Sequence, residues 1–155
     1  MEKVIIRKAN LEDLTSIQEL NNKLFDLEYN NFDDTLKVGW PFEKEGKEYF
    51  ENMIENEIVF VAQIEDNVVG YLAGSICEQI NYVKESFAEL DNMCLDEEYR
   101  RFGIGTLLMD EFKKYCKEKN MQNIKVTASA TNNRAIQFYM KNGFEDYNVT
   151  LRYKI

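Results

Sequence analysis

The turn around residue 100 combines features that suit the binding of an anion at the start of a helix. Arg100 and Arg101 supply positive charge, and Gly103 and Gly105 follow immediately before an amphipathic stretch. Glycine lets a ligand approach the backbone, and the first N–H groups of a helix lie at the positive end of its dipole. The pattern therefore predicts a cradle for phosphate oxygens.

The glycine spacing narrows the kind of ligand that this cradle would take. It matches neither the phosphate loop G-x-x-x-x-G-K-[ST] nor the dinucleotide motif G-x-G-x-x-G, so ATP and NAD are disfavoured. The segment Arg100-x-x-Gly103-x-Gly105 instead resembles the Q/R-x-x-G-x-G/A signature of the GNAT superfamily of N-acetyltransferases, which lies between a strand and a long helix. A tight turn at a helix start is the alternative for this pattern taken alone.

A second block, about thirty residues further on, resembles the same family. The run Asn132-Asn-Arg-Ala-Ile-Gln-Phe-Tyr-Met-Lys-Asn-Gly-Phe is similar to the family's N-x-x-A-x-x-F-Y-x-x-x-G-F block. Asn132 and Tyr139 are seven residues apart, about two helical turns, so they would share one helix face. Singly they fit an N-cap and a core aromatic; together they indicate a ligand site.

The resemblance implies acetyl transfer from acetyl-CoA to an amine by direct attack. It implies that the backbone of Met93 and Leu95 binds the pantetheine arm like an added strand, that Arg101 to Thr106 hold the pyrophosphate, and that Asn132 contacts the arm. The full predicted CoA-binding set is Met93, Cys94, Leu95, Arg100, Arg101, Phe102, Gly103, Ile104, Gly105, Thr106 and Asn132.

Two side chains are candidates for moving protons. Tyr139 resembles the tyrosine that serves many family members as general acid at the CoA sulfur. Glu89 resembles the glutamate of the histone-type members and would act as the base. Asp91 would point to the same side of the strand as Glu89, and the two carboxylates could raise each other's pKa. A pair of solvent-facing strand carboxylates, or water as the base, remains the alternative.

Composition excludes several other chemistries. The chain has no histidine, which removes Ser-His-Asp and Cys-His nucleophiles and the commonest zinc ligand, and nothing demands a metal. Cys77, Cys94 and Cys116 are widely spaced and form no disulfide framework or C-x-x-C motif. A buried structural thiol therefore explains Cys94 better than an acetyl-cysteine route does.

The charge is unevenly distributed along the 155 residues. Up to Tyr99 there are 8 basic and 23 acidic residues; from Arg100 there are 11 basic and 5 acidic. This asymmetry favours an anionic ligand in the second half and a cationic acceptor in the first, and the net charge of −9 argues against nucleic acid. The predicted acceptor pocket mixes aromatic and acidic residues: Phe25, Tyr29, Phe32 and Trp40 with Asp26, Glu28, Asp33 and Asp34.

Several alternatives stay open at the level of function. Acetyl-CoA could be bound by a non-catalytic sensor or interaction module, and no motif measures the length of the acyl chain. N-terminal acetyltransferases of ribosomal proteins typically carry a glutamate where this chain has Thr127, which disfavours that substrate. Homodimers are common in the family. No signal peptide or membrane span is recognised, so a soluble cytoplasmic protein is expected.

The predicted elements form one α/β domain over residues 1–155. Strands are expected at 4–7, 58–64, 68–76, 87–95 and 124–128, with one or two more between 144 and 153, and helices from Asn10, near Tyr49, at 103–119 and at 132–142. The resemblance implies a mixed, mostly antiparallel twisted sheet flanked by helices. It also implies that the sheet splits where the strand ending near Leu95 diverges from the next.

Overall fold

Five strands form one sheet whose order in space follows their order in sequence. In the computed structural model, which describes residues 2–155, β1 to β4 pair antiparallel and β5 runs parallel to β4. The predicted fold class is therefore confirmed. The elements are β1 Val4–Lys8, α1 Leu14–Asn31, α2 Lys44–Asn56, β2 Ile58–Ile64, β3 Asn67–Ile76, β4 Phe87–Leu95, α3 Ile104–Glu118, β5 Asn123–Val126 and α4 Asn133–Lys141.

The helices cover both faces of the sheet and divide the core in two. On one face α3 inserts Leu108, Met109 and Phe112 against the inward side chains of the strands. On the other face α1 and α2 insert Ile17 and Phe50. Burial on both faces explains why β2 reads as a continuous apolar run, with six of its seven residues buried.

The sheet opens between β4 and β5, as the family resemblance implied. The parallel pairing joins only residues 87–90 of β4 to residues 123–126 of β5. Beyond this point β4 continues to Leu95, and within residues 2–155 no strand lies beside it on the β5 side. Residues 91–95 therefore present a free strand edge inside the sheet.

A β-bulge lies where the sheet opens. Ala73 of β3 pairs with Asn92 and the next residue, Gly74, pairs with Leu90, so Asp91 is an extra residue on β4. Before the bulge Leu90 packs on the α3 side, and after it Cys94 packs on the α1–α2 side. The bulge thereby turns Glu89, Asp91 and Asn92 toward the same face.

The predicted strands after residue 144 are absent from the structure. No regular element follows α4 among the described residues, and residues 145–155 are all exposed. Their alternating apolar pattern is that of a strand, but a strand also needs a neighbouring edge with which to exchange hydrogen bonds. The prediction used the pattern alone and was wrong about the pairing in this chain.

The start of α1 is fixed by a partly buried ion pair. The Arg7 guanidinium donates to both carboxylate oxygens of Asp13 at 2.8 Å, and the Asn10 N–H donates to Asp13 Oδ2 at 2.9 Å. Burial alone would raise the pKa of Asp13, but the hydrogen bonds from Arg7 and Asn10 and the charge of Arg7 together lower it. The ionised carboxylate thus joins β1 to the first helix.

We expect Asp13→Asn to lower the free energy of unfolding by about 2 kcal/mol at pH 7, because it leaves the Arg7 charge without its partner while water still reaches the guanidinium. The native pKa of Asp13 lies below its unfolded value, so this stabilisation is complete above about pH 4 and is lost as the pH falls through the native pKa. Urea denaturation at pH 7 and pH 3 would measure the difference in unfolding free energy between the native protein and the variant, which should be smaller at pH 3. Glu12→Gln, an exposed neighbour, is the control; an Asp13 effect independent of pH would contradict the assignment.

Candidate functional site

The first turn of α3 leaves its backbone N–H groups available to a ligand. Gly103 is the N-cap with φ +78°, and no side chain in the described part of the chain caps the helix. Arg101 also has a positive φ of +70°, and residues 101–103 are exposed. The left-handed conformation at Gly103 suits a residue without Cβ, and no atom lies within 4 Å of the space that a Cβ would fill. This geometry fits an anion cradle.

The remaining residues of the predicted motif have structural contacts. The Arg100 Nε donates to the Leu95 carbonyl at 3.1 Å, which ties the turn to the end of β4. A Cβ on Gly105 would lie 3.1 Å from the Phe138 ring of α4, so the glycine allows α3 and α4 to pack closely. The Ile104 side chain is buried, whereas Phe102 and Thr106 are exposed.

The free edge of β4 supplies backbone groups rather than side chains. Met93 and Leu95 pack toward the α3 side of the sheet, and Cys94 points into the opposite core with 4% exposure. Burial raises the pKa of the Cys94 thiol to about 11, so it stays protonated and unreactive at neutral pH. A ligand in the opening of the sheet would therefore meet the backbone of these three residues.

Asn132 binds a carboxylate from α1, and the charge of the same carboxylate acts on Tyr139. Asn132 caps α4 by accepting from the Ala135 N–H at 3.1 Å, and its Nδ2 donates to Glu28 Oε1 at 2.8 Å. Ser129 Oγ donates to the other oxygen of Glu28 at 2.9 Å. Burial, with the charge of Glu28 as a second cause, raises the pKa of Tyr139 to about 12. The phenol is thus protonated across the neutral range.

A second carboxylate cluster lies on β4 at the bulge. Asp91 accepts from Ser75 Oγ at 3.2 Å and from Tyr49 Oη of α2 at 3.3 Å. The pKa of Asp91 is raised, first by desolvation and then by the charge of Glu89, against the hydrogen bonds from Ser75 and Tyr49. Glu89 lies 4.0 Å from Lys125 Nζ of β5. The charge of Glu89 is thus one of the causes that raise the pKa of Asp91.

A hydrogen-bonded chain of side chains, which the sequence did not predict, extends from this cluster into the core. Asn92 Nδ2 donates to Tyr49 Oη at 3.0 Å, Tyr71 Oη donates to Asn92 Oδ1 at 2.5 Å, and Asn21 Nδ2 donates to Tyr71 Oη at 2.9 Å. Tyr71 is completely buried. Tyr49 and Tyr71 sit on apolar stripes in the sequence, which hid the polar ends of their side chains.

The two predicted catalytic residues lie in separate parts of the site. Glu89 lies beside Lys125 and its charge acts on the pKa of Asp91, whereas the pKa of Tyr139 responds to the charge of Glu28. No described contact joins Glu89 directly to Tyr139. The two groups lie on elements that flank the opening, because β4 carries Glu89 and α4 carries Tyr139.

A match to a protein family covers most of this architecture. Residues 18–144 match the model of the acetyltransferase (GNAT) family. The chain belongs to this family. The matched range includes the glycine turn before α3 and the whole of α4, so both motifs identified in the sequence lie within it.

Curated relatives of this GNAT chain carry names of the same kind. An uncharacterized N-acetyltransferase of Methanocaldococcus jannaschii is 28% identical over 146 residues, which cover 93% of this chain and 62% of that protein. An N-alpha-acetyltransferase of Sulfurisphaera tokodaii is 29% identical over 157 residues, which cover 96% of this chain and 84% of that protein. The chain thus spans less than two thirds of the first relative. These names and the family match agree with the resemblance that the two motifs carry.

Solved structures share the GNAT fold with this chain. A tetramutant of the BH1408 protein from Bacillus halodurans superposes with a TM-score of 0.87 at 20% identity, over 97% of this chain and 99% of that one. An aminoglycoside N-acetyltransferase, AAC(6')-Iy, in complex with CoA gives a TM-score of 0.77 at 16% identity, over 100% and 96%. At these identities the likeness concerns the fold alone.

Part of the predicted acceptor pocket is packed rather than open. The Phe25 and Trp40 rings stack at 5.8 Å between centroids, and Trp40 continues into a cluster with Tyr49 and Phe50. Tyr29 remains 45% exposed. The GNAT chain thus uses these aromatic residues mainly to join α1 to α2.

The described residues were also compared with the requirements of a membrane-spanning helix and of a metal site. None of the helices between residues 2 and 155 has the length and apolar content of a bilayer-crossing segment. Within the same residues, no three Cys, Asp or Glu side chains form a cluster suited to a metal ion.

Proposed function

We propose that this chain transfers the acetyl group of acetyl-CoA to an amine by direct attack of the amine on the thioester. The observation that carries the proposal is the opening of the sheet, where the free edge of β4 ends at the uncapped N-terminus of α3. A strand edge offers N–H and C=O groups to an amide-bearing arm, and the helix terminus offers N–H groups to phosphate. Pantetheine and pyrophosphate occupy adjacent parts of CoA, so one ligand fits both.

The CoA contacts in this proposal come mostly from backbone. Met93, Cys94 and Leu95 contribute the strand edge, and the turn from Arg101 to Thr106 surrounds the pyrophosphate. Arg100 positions that turn through its bond to Leu95. The side chains with a direct role are Arg101, whose charge suits an anion in an otherwise acidic protein, and Asn132, which lies at the start of α4.

Tyr139 is the proton donor in this scheme. Its phenol is protonated at neutral pH because burial and the Glu28 charge raise its pKa to about 12. A protonated phenol can donate a hydrogen bond to the sulfur as negative charge develops on the leaving thiolate. Glu28 accepts a hydrogen bond from Asn132, which caps the helix that carries Tyr139. This contact helps to orient that end of the site.

Glu89 and Asp91 form the acidic side of the scheme. An amine attacks only in its neutral form, so a proton must leave the incoming ammonium. Glu89 is our proposed base, and Asp91 lies close enough for its pKa to respond to the Glu89 charge. Carboxylates at this position also attract a cationic acceptor, such as a polyamine, an aminoglycoside or a lysine-bearing peptide.

We expect Glu89→Gln to lower the amine-dependent rate about tenfold, less than the usual range for a general base, because Asp91 remains nearby to accept the proton. Loss of the Glu89 charge also removes one cause of the raised Asp91 pKa, and the acid limb that remains in the variant reports Asp91 as the substitute base, so the rate profile should differ from that of the native protein. The measurement is kcat between pH 5 and 9. Glu57→Gln, a more distant carboxylate that acts on the same pKa, is the control; an unchanged profile removes Glu89 from the mechanism.

The experiment that tests the proposed function is release of CoA thiol from acetyl-CoA, followed with a colorimetric thiol reagent. The acceptors are a panel of polyamines, aminoglycosides, amino acids and short peptides, and calorimetry measures acetyl-CoA binding in parallel. Release that depends on one class of amine supports the proposal and names the acceptor class. Tight binding without release for any amine favours the non-catalytic acetyl-CoA-binding alternative, and failure to bind acetyl-CoA overturns both.

A further inference from the structure

The hydrogen-bonded side chains that extend from the bulge into the core form one continuous network, which we call the polar network. In order from the surface inward, its members are Asp91, Tyr49, Asn92, Tyr71 and Asn21. Exposure falls along this order: Asp91 is exposed, Tyr49 and Asn92 are half-buried, and Tyr71 and Asn21 are 0% and 1% exposed. The network thus ties one surface carboxylate to side chains that the core holds rigidly.

The amide of Asn92 fixes the direction in which the polar network donates its hydrogen bonds. Its Oδ1 accepts from Tyr71 Oη at 2.5 Å, and its Nδ2 donates to Tyr49 Oη at 3.0 Å. A phenol has a single proton. Because Tyr49 Oη accepts from the amide, its own proton can point to Asp91 Oδ2, at 3.3 Å. The reverse direction would turn the lone pairs of Tyr49 toward a carboxylate, so the observed direction suits an ionised Asp91.

The polar network is incomplete at its buried end. Asn21 Nδ2 donates to Tyr71 Oη at 2.9 Å, but Asn21 Oδ1 is buried and finds no hydrogen-bond partner in the part of the chain that the structure describes. An unpaired buried acceptor is destabilising, and apolar side chains of similar size would fill this space without that cost. Stability alone therefore does not account for the network, whose better-paired end is the one at Asp91.

Asp91 lies where a ligand in the opening of the sheet would meet it. Residues 91–95 form the free edge of β4, and Asp91 is the first of them. Its Oδ1 accepts from Ser75 Oγ at 3.2 Å and its Oδ2 from Tyr49 Oη, so both carboxylate oxygens are held from the side of the protein. A carboxylate has about four lone-pair sites, and those that remain can accept from an ammonium group on the solvent side.

The surroundings of Asp91 are acidic, which makes the donated hydrogen bonds important for its charge. Desolvation and the charges of neighbouring carboxylates raise its pKa, whereas the hydrogen bonds from Ser75 and Tyr49 lower it. The titratable groups around it come from α2, β4 and β5 and from the residue after β3: Tyr49, Glu57, Glu89, Lys125 and Cys77. Tyr49 is thus one of two donors that favour the ionised form.

We propose that Tyr49 is a positioning residue whose hydroxyl, fixed as a donor by Asn92, holds the Asp91 carboxylate ionised and oriented toward the ammonium group of the acceptor. This role rests on the proposed acetyl transfer, and it divides the work of the two acids. Asp91 binds the incoming ammonium, and Glu89 takes the proton as the N–H bond breaks and an O–H bond forms on its carboxylate. An ionised carboxylate binds a cation better than a protonated one does.

The first test is the titration of the Asp91 carboxyl carbon by ¹³C NMR in the ligand-free protein, with the signal assigned from Asp91→Asn. In Tyr49→Phe the midpoint should move to higher pH, because a donor to the ionised form is lost. Tyr115→Phe removes a phenol hydroxyl from α3 instead and should leave the midpoint in place. An unchanged Asp91 midpoint in Tyr49→Phe overturns the proposal.

A comparison with Tyr71→Phe separates positioning from general support of the fold. Tyr71 is completely buried and bonds both Asn21 and Asn92, so its loss should lower the free energy of unfolding more than Tyr49→Phe does. It should nevertheless shift the Asp91 midpoint less, because the Tyr49 hydroxyl is still present. A larger shift in Tyr71→Phe would mean that the network acts only through stability, which contradicts the proposal.

One measurement needs no variant. In the native protein the ring Cζ signal of Tyr49 should titrate with the same midpoint as the Asp91 carboxyl carbon, because protonation of the carboxylate weakens the hydrogen bond that it accepts. Two unrelated midpoints would show that this hydrogen bond does not respond to the charge of Asp91, and the proposal would fail.

The kinetic test uses the most active amine of the acceptor panel. Between the native and variant midpoints of Asp91, Tyr49→Phe should raise the KM for the amine about fivefold, the net worth of one hydrogen bond, while kcat changes much less. The acid limb of kcat/KM should move to higher pH, whereas a structural defect would lower the rate equally at every pH. If the native protein acetylates no amine, the proposed function fails and this role with it. If the native protein is active and the variant profile is unchanged, only the role of Tyr49 is overturned.

Discussion

Tyr139→Phe should lower kcat for amine acetylation about 10²-fold while the KM for acetyl-CoA stays nearly constant. The substitution removes only the hydroxyl, which we place at the leaving sulfur, and a general acid typically contributes 10²- to 10⁴-fold. Ring packing against Phe138 and Phe144 is kept, so the melting temperature should hardly change. Steady-state kinetics with the best amine of the panel would measure the effect.

The native protein should also lack an alkaline limb from this group below about pH 10. A general acid works in its protonated form, and the pKa of Tyr139 is raised to about 12, so activity that depends on it falls only as the pH approaches that value. Tyr115→Phe is the control. Tyr115 is also half-buried, but it lies on α3 and packs near Phe60 of β2. Equal losses from both variants, or a loss confined to the KM of acetyl-CoA, would show that Tyr139 acts through packing.

The central part of the fold could be predicted because local signals and packing agree there. Asn120 ends α3 with φ +57° and Gly143 ends α4 with φ +93°, both at the residues that the sequence indicated. The second strand of the hairpin begins at residue 67, one residue before its predicted start: the turn consists of Glu65 and Asp66, and Glu65 takes the positive φ. These helix-end and turn signals depend on residues that are close together in the chain, so they can be recognised from the sequence alone.

Residues 144–155 show where local signals are insufficient. Their alternation predicted a strand, but a strand exists only when another edge pairs with it, and no strand within residues 2–155 pairs with them. The bulge at Asp91 is a second case, because nothing in the run from Glu89 to Asn92 marks an extra residue. Register depends on the paired strand and on the packing of both faces.

The site was predictable where glycine and backbone groups carry the role, and less so where side chains from distant elements meet. The glycine turn before α3 has the open N-terminus that the motif indicated. By contrast, Glu28 was assigned to an acceptor pocket, but it binds Asn132 and Ser129 across more than a hundred residues of chain. Tyr49 of α2 donates a hydrogen bond to Asp91, but this helix was predicted only from its apolar stripe.

Gly105→Val should lower kcat/KM about 10²-fold although residue 105 supplies no reacting group. A Cβ at this position would lie 3.1 Å from the Phe138 ring and 3.4 Å from Leu95, and the branched methyl groups of valine would need more room than Phe138 can give. α4 must then move away from α3, and with it Tyr139, the residue next to Phe138. Misplacement of a reacting group by about 1 Å can cost 10²-fold in rate.

Comparison of Gly105→Ala with Gly105→Val distinguishes displacement of α4 from loss of the ligand's contact with the Gly105 backbone. Alanine requires Phe138 to shift only a few tenths of an ångström, so its effect on kcat/KM should be much smaller than that of valine. Valine should also lower the free energy of unfolding by about 1–3 kcal/mol. Leu107→Val, an exposed position of the same helix, controls for the helix propensity of valine. If alanine and valine were equally harmful, contact between the Gly105 backbone and the ligand would explain the loss better than movement of α4. If neither variant changed kcat/KM, the close packing of α3 on α4 would have no part in placing Tyr139.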